Sequence, residues 1–213
     1  CEGKKYGLEL NWTKTVAINI QNNGVVRTPS GSPVVPVRQV VYLGGLLNAG
    51  ATAKPELTRR LGEARGVFRA LLRCWAHANI TRGRKLELYS AIVLPRLLYN
   101  LETLWLLKAD RKRLYSFNAQ CLRRICRIPH SFLSRVSNDQ ISNRCRARPL
   151  SEALRERQTS MYNKIAGLSQ DHPLRTLTCQ PGSYLPRVWD QCRKKGRPKQ
   201  QWATCVYKLL PQQ

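Results

Sequence analysis

An α+β protein is the prediction for this chain: a small antiparallel β part, then a mainly α-helical bundle, then an extended basic tail. Three observations lead there. Over residues 1–50, β-branched runs alternate with loops rich in Asn, Gly, Ser and Pro. From residue 54 the apolar residues recur at steps of three and four, the period of one helix face. Beyond Asp171, prolines accumulate and no period is sustained.

Within residues 1–50, TVAINI (Thr15–Ile20) and VVPVRQVVYLGGLL (Val34–Leu47) predict two or three antiparallel strands. Pro33 and Pro36 belong at the start or edge of a strand, because proline has no N–H to give a ladder. At Tyr42-Leu43-Gly44-Gly45 the apolar run meets a glycine pair. As structure this reads as a strand entering a turn.

Residues 51–170 form the helical part. Leu57, Leu61, Ala64, Phe68, Leu71, Trp75 and Ala78 mark one face of a helix, with Arg59, Arg60, Glu63, Arg65, Arg69 and Arg73 around the rest. Pro55 suits its first turn, where a missing N–H costs no intrahelical bond. A second helix is expected after Thr81 as N-cap, carrying Leu86, Tyr89, Ile92, Val93, Leu97, Leu98 and Leu101, with a kink or break at Pro95. A third has Asp110 as its cap and Leu114, Phe117, Cys121, Leu122 and Ile125 inward, opposite Arg113, Arg123 and Arg127; Pro129 ends it. A fourth runs from about Ser151 to Leu168, with Leu154, Met161 and Ile165 inward. Residues 171–213 are read as a mostly extended basic tail with a short helix near Trp202–Leu209.

Charge sets the partner class. Lys+Arg number 37 against 12 Asp+Glu in 213 residues, a formal net charge of +25. Self-repulsion of that size calls for a polyanion, with nucleic acid first and an anionic membrane second. The longest apolar stretch, Leu94 to Leu107, is broken by Pro95, Arg96, Asn100 and Glu102 and is too short to span a bilayer, so no membrane partner is expected. The chain opens at Cys1 inside a lysine-rich segment without an apolar signal region, which reads as a fragment whose beginning lies upstream.

The eight cysteines contain no close C-x2-C pairs, and a chain this rich in core needs no disulfide framework. Reduced thiols, in the nucleus or cytosol, are the expectation, with no metal site. Catalytic carboxylates are equally sparse. Asp110, Asp139, Asp171 and Asp190 are scattered and unpaired, and Glu102 is read as the partner of a nearby arginine. The sequence carries no glycine-rich phosphate loop and no nucleophile motif. Phosphate-backbone binding fits better, because arginines recur on the outer faces of successive helices; Arg59, Arg60, Arg123 and Arg124 are the candidates.

Taken in order, YGLELNWTKT (Tyr6–Thr15), VYLGGLL (Val41–Leu47), ELTRRLGEARGVFRAL (Glu56–Leu71), KLELYSAIVLPRLLYNLETLW (Lys85–Trp105), KADRKRLYSFNAQCLRRI (Lys108–Ile125) and GRPKQQW (Gly196–Trp202) form a pattern. It resembles the C-terminal part of the reverse transcriptase of non-LTR, LINE-type retrotransposons. That resemblance implies the end of a polymerase palm at residues 1–50, a thumb at 51–170 and the tail beyond. It puts Lys14, in G-L-x-x-N-x-x-K-T, near the incoming nucleotide, and makes Tyr42, Leu43 and Gly44 a primer-grip hairpin. The implied partner is an RNA/DNA or DNA duplex. The family's catalytic aspartates, and the Mg²⁺ they hold in the full-length enzyme, have no counterpart in this sequence. A further departure is Tyr99-Asn100-Leu101-Glu102-Thr103-Leu104-Trp105, where the family often has Y-G-x-E-x-W. A stand-alone basic nucleic-acid-binding protein and an inactive retroelement remnant are the alternatives.

Overall fold

A computed structural model describes residues 2–20, 22–189 and 200–211. The fold is α+β, and it divides into two compact units, Cys1–Glu56 and Leu57–Gln213.

The first unit holds one hairpin. β1 (Gln39–Tyr42) pairs antiparallel with β2 (Gly45–Asn48), Gln39 opposite Asn48 and Tyr42 opposite Gly45. Thr15–Ile20, expected as a strand, is not one: Ala17 makes a single parallel bridge to Pro36, and Val37 N–H donates to the Ala17 carbonyl at 2.8 Å. Pro33 and Pro36 withhold the N–H groups that a longer ladder would need, so pairing stops at isolated bridges. Among the described residues of this unit only Gly45 and Glu56 are buried, while Val35, Val41, Tyr42 and Leu43 are exposed.

The second unit is helical. α1 (Lys54–His77) starts at the end of the first unit and buries Leu57, Leu61, Ala64, Phe68 and Trp75, the face its spacing predicts. α2 (Arg82–Leu88) starts where Thr81 accepts the Arg84 N–H, as expected of an N-cap. Pro95 does not break the chain. It cannot donate to the preceding turn and its ring crowds a carbonyl there, and the helix responds by widening to a π turn over Tyr89–Val93 before α3 (Leu94–Leu98).

α4 (Lys108–Cys126) begins one turn earlier than Asp110 would set as a cap. Asp110 sits instead in its first turn, where a carboxylate still favours the positive end of the helix. α4 packs against α2 and against α6 (Asn138–Arg144) and α7 (Leu150–Ala166), so it is buried on several sides rather than along one stripe. Asn118 and Ala119 are therefore buried along with the expected Leu114, Phe117, Cys121, Leu122 and Ile125. The Tyr89 hydroxyl donates to Asn118 Oδ1 at 2.8 Å, and Phe68 meets the Tyr89 ring edge-on at 5.8 Å. Between α4 and α6 lies the short helix α5 (Ser131–Ser134).

α9 (Trp202–Tyr207) is the short helix expected near Trp202–Leu209, but the rest of the tail needs a correction: it includes the helix α8 (Pro173–Thr178), and Cys179 and Val206 are buried with Tyr162 and Ala166 of α7. Trp202 supplies the reason. Its indole donates to the Glu102 carbonyl at 2.8 Å while its ring packs on Tyr162, so this aromatic-rich end has apolar area to bury. The densest basic run, together with Asp190 and Cys192, lies outside the described residues.

Burial pushes the Cys121 thiol up to about 12, and burial together with its neighbour Cys126, whose sulfur is 2.7 Å away, pushes Cys145 up to about 12. In the unfolded chain these thiols ionise near their ordinary value of about 8.5, so between there and pH 12 the folded state holds more protons. Stability should therefore fall as pH rises through that window. Urea titrations at a series of pH values check this, and Cys121→Ala should make the decline shallower.

Candidate nucleic-acid interface

Two helices carry the same spacing and face each other. On α1, Thr58, Gly62, Arg65 and Arg69 are successive neighbours on one face; on α4, Arg113, Phe117, Gln120 and Arg124 are. Between them run two recesses of about 380 and 470 Å³ that share Arg65, Phe117 and Gln120 and so form one groove. Its floor is apolar, from Leu61, Phe68, Phe117 and Cys121, and its far end is closed by Ile128, Pro129 and His130.

The walls are cationic. Arg65 lies over the Phe117 ring at 5.8 Å, and Arg113 spans to the Thr58 hydroxyl at 3.2 Å. Arg113 also meets Asp110 at 3.5 Å. For Arg65, Arg69 and Arg124, no carboxylate lies within ion-pair distance among the described residues. With the Cys121 thiol held neutral, the groove is a channel of positive charge over an apolar base.

The four arginines selected from sequence have different fates. Arg124 is exposed on the groove wall. Arg59 is half-buried and bonds Glu63 at 2.6 Å. Arg60, expected on the outer face, is 5% exposed; it bonds the same Glu63 at 3.0 Å and lies over the Tyr99 ring at 4.4 Å. Arg123, also expected outward, is 6% exposed. Its guanidinium donates to the carbonyls of Pro129 (2.9 Å) and Val136 (2.6 Å), to Ser134 Oγ (3.3 Å) and to Asn138 Oδ1 (3.2 Å).

The sequence does hold a signal that separates these roles. Arg59 and Arg60 each have Glu63 one helical turn away, whereas Arg65, Arg69 and Arg124 have no acid at three or four residues on either side. Arg123 has no such mark, because its partners lie beyond the end of its own helix, from Pro129 to Asn138.

In the first unit, Lys14 is exposed at the end of a turn built on Asn11. Asn11 Oδ1 accepts from the N–H of Thr13 and of Lys14, and Thr15 Oγ1 donates to the Asn11 carbonyl. The asparagine thus fixes the backbone that carries the lysine. At the hairpin, Leu43 and Gly44 form a two-residue turn with φ of 47° and 75°, the I′ class that matches strand twist. Gly44 suits that geometry; Leu43 does not, and its left-handed backbone costs about 1 kcal/mol. Tyr42 and Leu43 are exposed at the tip, and the Leu46 N–H on β2 is taken by Glu56 Oε2 at 3.1 Å.

Comparison with family models, with curated proteins and with solved structures finds no match for this chain. No described helix is long and apolar enough to cross a membrane. Nor, among the described residues, do His, Cys, Asp and Glu gather in a group that could hold a metal ion. The expected arginine partner of Glu102 is not found among the described residues; its Oε2 is buried without a hydrogen bond. The described carboxylates do not form a group that would hold a Mg²⁺ pair.

Arg123 and Arg124 are adjacent in sequence and opposite in role, which gives a direct check. Arg123→Ala leaves its acceptors unpaired and should cost about 3 kcal/mol in denaturant unfolding. Arg124→Ala should change stability by less than about 0.5 kcal/mol.

Proposed function

We propose that this chain holds a nucleic-acid duplex by its phosphates along the α1–α4 groove, as the thumb-like part of a LINE-type reverse transcriptase. The observation that carries the reading is the row of arginines, Arg65, Arg69 and Arg124, that have no carboxylate partner among the described residues, on two facing helices, while the acids nearby are bonded elsewhere. Phosphate contact by arginine positions a duplex without reading its sequence. The resemblance to the polymerase family gains support from two backbone details. Asn100 adopts φ 62° at the position where the family pattern has glycine, and asparagine is the residue that best replaces glycine there. Asn11 builds the turn that presents Lys14 in the G-L-x-x-N-x-x-K-T pattern. In this reading Lys14 approaches the incoming nucleotide, the Tyr42-Leu43-Gly44 turn grips the primer end, and the aspartates and Mg²⁺ belong to the rest of the enzyme.

A second reading, a stand-alone duplex-binding protein, is favoured by a different fact: every groove residue lies in the unit Leu57–Gln213. The hairpin distinguishes the two. A polymerase fragment should lose preference for a recessed 3′ end over a blunt duplex when Tyr42 and Leu43 are replaced by alanine, and a simple duplex holder should not.

For the groove itself, fluorescence anisotropy of a labelled primer–template is the test. Affinity should fall by roughly two orders of magnitude or more between 50 and 200 mM salt. Arg65→Ala, Arg69→Ala and Arg124→Ala should each weaken all sequences alike and lower the salt slope by about one. Arg59→Ala, whose guanidinium is bonded to Glu63, should have a smaller effect. Binding that ignores salt, or unchanged affinity in the triple variant, would reject the proposal.

A further inference from the structure

At its far end the groove meets a feature that phosphate binding does not use. His130 lines the groove and stacks on Phe132, with ring centroids 6.0 Å apart and planes within 15°. Phe132 is 70% exposed, so one of the larger apolar rings of the second unit stands in solvent. An exposed phenylalanine on a protein surface costs hydration free energy and is usually turned inward. Here it is held outward by a defined connection: Arg123 bonds the Pro129 carbonyl just before the pair and Ser134 just after it. The aromatic pair is therefore placed, not merely left over.

The surroundings select the occupant. Arg124 shares the groove wall with His130, and Arg127 and Arg135, both exposed, flank the segment on either side. Arg127 and Arg135 occupy left-handed positions at helix ends, φ 54° and 55°, where glycine is the unstrained choice. A rim of guanidinium groups attracts a polyanion, and the exposed rings beside it suit one that also carries flat rings. Nucleic acid has both, and its bases are free to stack only where they are unpaired.

We infer that His130 and Phe132 form a stacking platform for an unpaired nucleobase, so that the groove holds a duplex at its junction with a single strand. The inference rests on the duplex reading above and adds the junction to it. Stacking of one base on an aromatic side chain is sequence-tolerant, in keeping with phosphate contacts that read no sequence.

The test uses the full chain and three labelled probes of one composition: a blunt duplex, the same duplex with a single-stranded extension, and the single strand alone. The wild type should bind the tailed duplex more tightly than the blunt one. Phe132→Ala should remove roughly a tenfold advantage for the tailed duplex and leave the blunt duplex unchanged, while Phe132→Trp should retain it. A 2-aminopurine at the first unpaired position should be quenched on binding the wild type and not Phe132→Ala. Equal binding of tailed probe by wild type and Phe132→Ala overturns the platform and leaves the duplex reading standing. If the blunt duplex does not bind at all, the duplex reading falls, and the single strand then decides the platform: loss of its binding in Phe132→Ala sustains a base-stacking site, and no change overturns it.

Discussion

The buried guanidinium of Arg123 is the constraint on which the candidate interface depends. It projects from the last turn of α4 into the connection Arg127–Ser137, where it bonds two carbonyls and a hydroxyl, and it also bonds the Asn138 side-chain amide oxygen at the start of α6. A loop of this kind buries little apolar area of its own, and its backbone carbonyls need donors once covered. Arginine meets that need because its planar fork offers several donors in fixed directions. A lysine could reach one or two of the acceptors and would leave the rest unpaired. Arg123 thereby sets where Pro129 closes the groove, where His130 and Phe132 stand, and where α6 starts under its Ser137–Gln140 capping box.

The arginines of this protein accordingly divide into two populations by what surrounds them. Arg60, Arg123 and Arg175 are buried and bonded within the fold, Arg175 to the carbonyls of Ala166 and Leu168. Arg65, Arg69 and Arg124 are exposed and line the groove. Removing a member of the first group strands buried acceptors, at about 1–3 kcal/mol for each group left unsatisfied. Removing a member of the second costs the fold almost nothing and subtracts a cation from the surface field. A net charge of +25 therefore overstates how much of the basic character is available to a ligand, since part of it is spent inside.

The longer helices were legible in the sequence, as in the apolar steps of α1 from Leu57 to Trp75, and so was the Thr81 cap of α2; the short helices α5, α6 and α8 span too few turns to show a period and were not. What the sequence hid has a common physical cause, which is that partners come from elsewhere in the chain. Arg123 looks like an outer-face charge until the connection beyond Pro129 wraps it. Asn118 looks polar until Tyr89 donates to it. The segment after Asp171 looks extended because its prolines break the period, yet Trp202 and Val206 find a core already formed by Tyr162 and Ala166. In the first unit the strand expectation overshot, since β-branched composition reports fitness for a sheet and says nothing about whether a neighbouring strand has N–H groups to offer.

The proposed reading involves two kinds of contact, and they obey different physics. A phosphate contact in the groove would act through charge, so its contribution would weaken as counterions screen it. The proposed hairpin contact would come from an exposed tyrosine and a leucine held in a left-handed turn, neither of them charged, so it would be insensitive to salt to first order. Leu43 is informative here because it pays about 1 kcal/mol in backbone strain at a position where asparagine or glycine would pay none. Nor does the side chain recover that energy by burial, being 79% exposed. In the proposed reading, salt-dependent holding belongs to the helical unit and end discrimination to the β unit. Because the two vary independently with ionic strength, raising the salt should leave the hairpin's share of the binding energy as the larger fraction of a smaller total.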